Sequence, residues 1–192
     1  MPQIYLIHGY NSYQDSHWFP WLQNELAKVK LSSHFIQLPE PGNPQKDQWL
    51  KTLATQLPEL NEGTYFVAHS LGCLTLLTYL SQLPKPVKIG GVILVAGFKE
   101  SIPAMPELDQ FIGEPLALDQ LVDSISYRCV ISAADDEIVP TEASQRLAQE
   151  LQADFQQLPT GGHFLAEEGI DQLPALLKLL LKIKALTQGV EK

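Results

Sequence analysis

A chain of 192 residues, 45% apolar and 18% charged, is long enough to bury a substantial core and has the balance of an ordinary globular domain. Its net charge of −9, from 13 Lys+Arg against 22 Asp+Glu with no basic run, argues against a nucleic-acid partner, which needs a positive footprint. No apolar run reaches the about eighteen residues that span a bilayer, and no basic stretch precedes the first apolar run, so the expectation is a cytoplasmic protein without a membrane segment.

Short apolar runs alternate with longer amphipathic ones. Strands are expected at 3–7 (QIYLI), 33–37 (SHFIQ), 64–68 (TYFVA), 91–95 (GVILV), 128–132 (RCVIS) and 153–157 (ADFQQ), the last an edge strand. The third to fifth are almost continuously apolar, as suits strands covered on both faces. Helices are expected near 18–29, 45–58, 70–82, 141–151 and 170–186, with Thr141 as an N-cap and Glu142 favoured by the helix dipole. Strands alternating with helices predict an α/β fold: a mostly parallel sheet of about six strands with helices on both faces. Between Gly97 and Ser124 the rhythm breaks around Pro103, Pro106, Gly113 and Pro115, which predicts two short helices forming a small cap (97–124). No repeat or linker divides residues 1–192, so one domain is expected. Cys73 and Cys129 lie within apolar runs and read as buried thiols rather than a disulfide.

In an open parallel sheet, ligands bind beyond the carboxyl ends of the strands. Just past those ends stand His8-Gly9-Tyr10, His69-Ser70-Leu71-Gly72, Asp135-Asp136 and Gly161-Gly162-His163. Ser, Asp and His thus converge in the chain order Ser…Asp…His that α/β-hydrolases use. Ser70 sits between a strand and a helix, with Ala68 and Gly72 as the small neighbours that such an elbow needs, an A-x-S-x-G rather than a G-x-S-x-G pattern. A plainer reading has Ser70 only capping its helix. As nucleophile it pairs with His163 as general base, within reach because two glycines free its loop. The N–H groups of Leu71 and Tyr10 are the expected oxyanion donors. The acid is Asp135 or Asp136. The fold's usual spacing of acid to following proline selects Asp136, four residues before Pro140, and leaves Asp135 to bond the loop backbone. The run Asp135-Asp136-Glu137 has no histidine at ligand spacing, so neither metal nor cofactor is expected.

The segments IHGYNS, HWFPWL, VAHSLGC, GGVILVAGF, DDEIVP and GGHFLAEEG, spread over nearly the whole chain, resemble the small serine hydrolases of the YdeN and retinoblastoma-binding-protein-9 group, a compact branch of the α/β-hydrolases. The resemblance implies a Ser70–Asp136–His163 triad, hydrolysis of carboxylic esters and an exposed or shallow site under a small cap. Ala68 at the elbow is common in that group. Vertebrate members are associated with binding a retinoblastoma-type protein, but nothing here marks a peptide-binding surface, so no protein partner is assigned.

Around the site, His8, Trp18 and Phe164 are the candidate lining of a substrate pocket, although Trp18, Trp21 and Leu22 at helical spacing read mainly as core. The leucines and lysines from Leu173 to Leu186 read as a helix packed on the sheet rather than on a membrane. Gly90-Gly91 precedes a strand, so it is no phosphate-cradling loop. The expectation is therefore a serine esterase working on a small-molecule ester through an acyl-enzyme. A triad-bearing interaction module and a thioesterase or acyltransferase are the alternatives.

Overall fold

The computed structural model describes residues 2–57, 59–113 and 116–189. Six strands, β1 (Gln3–Ile7), β2 (Ser32–Ile36), β3 (Thr64–His69), β4 (Ile89–Val95), β5 (Ile125–Ala133) and β6 (Asp154–Leu158), form one sheet in the order β2-β1-β3-β4-β5-β6. Every pairing is parallel. β3 and β4 are buried at every position, whereas β2 and β6 at the edges are largely uncovered. That is the difference the apolar runs encode.

Period-two alternation divides the core between the two faces. Ile4, Leu6, Val67, Ile93 and Ile131 point into a cluster with Phe19, Leu22 and Leu26 of α1 (Phe19–Lys28) and Leu176, Leu180 and Ile183 of α6 (Pro174–Gly189). Tyr5, Ile7, Phe66, Ala68, Val92 and Leu94 point the other way. There they meet α2 (Lys46–Gln56), α3 (Leu71–Ser81), α4 (Leu118–Ser124) and α5 (Thr141–Glu150). The C-terminal leucine stripe is thus core, with Leu181 and Leu186 left exposed. Among the described residues no helix is long and apolar enough to cross a membrane.

Several boundaries differ from expectation. β5 begins at Ile125 rather than residue 128, because Ile125 pairs in register with buried Ile89 and extends both strands. Thr141 is the first helical residue and not the cap: Pro140 holds that position, and the Thr141 hydroxyl lies 2.9 Å from Ser132 Oγ. α6 starts at Pro174, whose fixed φ suits a first turn, and not at residue 170. Between Gly97 and Ser124 lie a 3₁₀ helix, Pro106–Phe111, and α4; Pro115 is outside the described residues.

The chain runs from β1 outward to β2, then returns across β1 to β3 and continues to β6. The direction of winding reverses between β1 and β3, and the crevice beyond their carboxyl ends is where such sheets bind ligands.

Candidate active site

Ser70 occupies that crevice. It has φ 54° and ψ −125°, a left-handed conformation for a residue with a Cβ, which costs on the order of 1–3 kcal/mol. The surroundings enforce it: the Ser70 N–H donates to Val95 O at 2.9 Å, tying the turn to the neighbouring strand. Gly72 lets α3 start directly against β1, since a Cβ there would lie 2.3 Å from the His8 carbonyl oxygen. A Cβ on Gly9 would come within 2.9 Å of both Ser70 Cβ and His69 O. Backbone closeness at Gly9 and Gly72 presses the loop after β1 onto the elbow.

The Ser70 hydroxyl makes no capping bond to its helix. It lies 2.8 Å from His163 Nε2, and His163 Nδ1 lies 2.9 Å from Asp136 Oδ2. Asp136 Oδ1 accepts the N–H groups of Ile138 and Val139, each at 2.9 Å. With the carboxylate accepting at Nδ1, the ring hydrogen sits there, and Nε2 is left to accept from the serine. All three residues are buried or nearly so, Ser70 being 7% exposed. Asp135 bonds the loop instead: its Oδ1 accepts the Gly162 N–H at 2.9 Å.

Tyr10 lines the cavity above Ser70, and Leu71 supplies the first N–H of α3, which has no acceptor within the helix. The cavity holds about 240 Å³. Of the three residues expected to line it, none does. His8 is fully buried between the Phe35 and Trp49 rings; its Nε2 accepts the Leu38 N–H at 2.8 Å and its Nδ1–H donates to Gly9 O at 2.8 Å. Burial lowers its pKa to about 4, so the ring is neutral. Trp18 and Phe164 are fully buried in the cluster on the α1 and α6 face. Left-handed turns at His17 (φ 54°) and Phe164 (φ 60°) bring these neighbouring loops against the core.

Two histidines complete the site. His69, fully buried, donates from Nε2 to the His163 carbonyl at 2.9 Å and so ties the His163 loop to the turn at Ser70. Burial and three nearby imidazoles push its pKa well down, so it stays neutral. Alternation along β3 places it on the face of Tyr65 and Val67, a signal the sequence carried. His17 lines the cavity directly. Among the described residues, no group of three or more His, Cys, Asp or Glu is placed to hold a metal ion, and Cys73 and Cys129 are buried free thiols.

This arrangement has relatives. The serine hydrolase family model matches residues 4–182. The chain is 39% identical to the YdeN protein of Bacillus subtilis over 178 residues, covering 93% of this chain and 94% of that one. The crystal structure of that ydeN gene product superposes with a TM-score of 0.93 at 38% identity, over 96% of this chain and all (100%) of the other. Est1E from Butyrivibrio proteoclasticus, seen with ferulic acid bound, shares the fold at a TM-score of 0.69 and 16% identity, over 96% of this chain and 90% of that one. With a six-stranded parallel sheet and matches across almost its whole length, the chain belongs to the serine hydrolase family and has the α/β-hydrolase fold.

Proposed function

We propose that the protein is a carboxylesterase acting on small-molecule esters through an acyl-enzyme. The observation that carries this reading is the 2.8 Å hydrogen bond from the Ser70 hydroxyl to His163 Nε2, made by a serine whose backbone is held in a strained turn. His163 takes the Ser70 proton as Oγ attacks the ester carbonyl. The N–H groups of Leu71 and Tyr10 hold the oxyanion, and Asp136 holds the imidazole tautomer and balances the imidazolium. His163 then gives its proton to the departing alcohol. Water, activated by the same histidine, releases the acid. Phe98, Ile102, Met105 and Leu108, from the described part of 97–124, act as a small cap over this site, and the two unpaired thiols fit a cytoplasmic setting.

Labelling the purified protein with a fluorophosphonate, read by intact mass beside a Ser70→Ala control, tests this directly. A single adduct absent from the control is expected. No adduct on folded protein rejects the hydrolase mechanism. Oxygen esters and thioesters of equal chain length, compared on the labelled preparation's parent stock, then separate an esterase from a thioesterase.

A further inference from the structure

Two walls of opposite character meet at Ser70. On one side, the chain after β4 and β5 supplies Phe98, Ile102, Met105, Leu108, Ile138 and Val139, all apolar. On the other, the loop after β1 and the segment after His163 supply Tyr10, Asn11, His17, Leu165 and Glu167, all but Leu165 carrying a polar group. The sheet order accounts for the division, since β1 flanks β3 on one side while β4 and β5 lie on the other.

The polar wall is one connected unit. The Ala166 N–H donates to His17 Nδ1 at 3.0 Å, and Glu167 Oε2 lies 3.9 Å from the same nitrogen. Because Nδ1 is already an acceptor, His17 is not an ionic partner for Glu167. Desolvation lowers the His17 pKa, more than the nearby glutamates raise it, and keeps the ring neutral. Among the described residues lining the cavity none is Lys or Arg, so Glu167 gives this wall its formal charge.

The mechanism orients a substrate between the walls. His163 protonates the leaving alkoxide, so the alcohol departs past the base, and Glu167 stands on the segment that carries the base. The acyl group is left to the apolar wall, in a cavity below the roughly 300–1,000 Å³ of sites for drug-sized ligands. Building on the ester-hydrolase reading, we propose that the substrates are esters of a short apolar acid with a cationic alcohol, the acyl chain against Ile102, Met105 and Val139 and the ammonium group beside Glu167. The Ser70 Oγ–acyl bond forms as the ester C–O bond breaks, the proton passing through His163 to the amino alcohol. Hydrolysis of the acyl-enzyme returns the acid.

The test compares kcat/KM for the butyryl ester of N,N,N-trimethylethanolamine, its uncharged carbon isostere 3,3-dimethylbutyl butyrate, and the anionic ester of butyric acid with glycolic acid. The Glu167 side chain is 79% exposed, so the preference for cationic over neutral ester is modest, about 2–5-fold, with the anionic ester slowest. It fades toward unity as salt approaches about 1 M, where screening acts over about 3 Å. In Glu167→Gln the cationic-to-neutral ratio falls to about one. In Asp171→Asn, which removes an exposed carboxylate away from the cavity, the ratio stays at the wild-type value. A wild-type ratio at or below one, or a preference that survives Glu167→Gln, overturns the proposal. Fluorophosphonate labelling of the same stock keeps the failures apart. A labelled Ser70 with no charge preference rejects the cationic alcohol alone, whereas an unlabelled Ser70 rejects the esterase reading and this inference with it.

Discussion

Replacing Asp136 by Asn removes one charge and leaves the shape, and the structure dictates which way the amide faces. Asp136 Oδ1 receives two backbone N–H groups, from Ile138 and Val139. An asparagine keeps its carbonyl oxygen at those donors and turns its NH₂ toward His163 Nδ1, which now lies 2.9 Å from Oδ2. Two donors face each other unless the imidazole gives up its Nδ1 hydrogen. The ring therefore carries its proton on Nε2, directed at Ser70 Oγ 2.8 Å away, and no longer accepts the hydroxyl proton. In comparable triads this tautomer error lowers kcat by about 10⁴. At about 1.36 kcal/mol per decade, that is a barrier about 5 kcal/mol higher. KM stays near wild type, because the cavity walls are untouched. The assay is steady-state hydrolysis of p-nitrophenyl butyrate, with thermal melts showing that the backbone contacts of the loop survive. A loss under about tenfold in a folded variant would refute the role given to Asp136, far short of the four decades expected.

Three further outcomes follow from the same geometry. Gly72→Ala puts a Cβ 2.3 Å from His8 O, a backbone atom unable to move alone; the elbow shifts, stability falls by about 1–3 kcal/mol and kcat falls with it, read by urea titration and turnover. His8→Phe keeps the ring but strands the Leu38 N–H and the Gly9 carbonyl, at about 1–3 kcal/mol each. That carbonyl shares its peptide plane with the Tyr10 N–H, so kcat drops while KM holds, and an unchanged kcat in a folded variant removes the Tyr10 donor from the mechanism. Acidification destabilises the fold: the His8 pKa falls from an ordinary 6.5 to about 4 on folding, so stability is complete above 6.5 and is lost as pH falls toward 4. His69 acts in the same direction. For His8 alone the linkage reaches about 3 kcal/mol, and urea midpoints that do not fall between pH 7.5 and pH 4.5 contradict the buried neutral ring.

The alternation of runs was enough to place all six strands within three residues at each end, because the central strands, buried on both faces, are apolar throughout and the helices between strands carry a stripe, which leaves the partly uncovered edge strands β2 and β6 as the runs between helices. The three polar side chains that meet at Ser70 were legible for a related reason. Each follows a strand's carboxyl end, where the sheet stops covering the backbone and where β1 and β3 diverge. Spacing selected Asp136 over Asp135, and the structure shows the physical difference: one carboxylate reaches His163, the other closes the loop at Gly162.

What sequence pattern did not give was the direction of side chains in the loops. His17 and Phe164 both have positive φ without being glycine, and no local preference announces this, whereas the elbow pattern around Ser70 did announce its strained turn. His17 therefore faces the cavity while its neighbour Trp18 is core, as its helical spacing suggested and its place beside the site did not. Phe164 likewise follows His163 yet is fully buried. In each case the large apolar side chain takes the interior, where it removes most area from water, and a smaller polar neighbour is left at the cavity. The rule transfers to the charge on the wall. Glu167 stays at the surface with its Oε2 3.9 Å from His17 Nδ1, while Phe164 three residues earlier is fully buried, so it is the inward turn of the aromatic, more than any acidic motif, that leaves a carboxylate at the cavity.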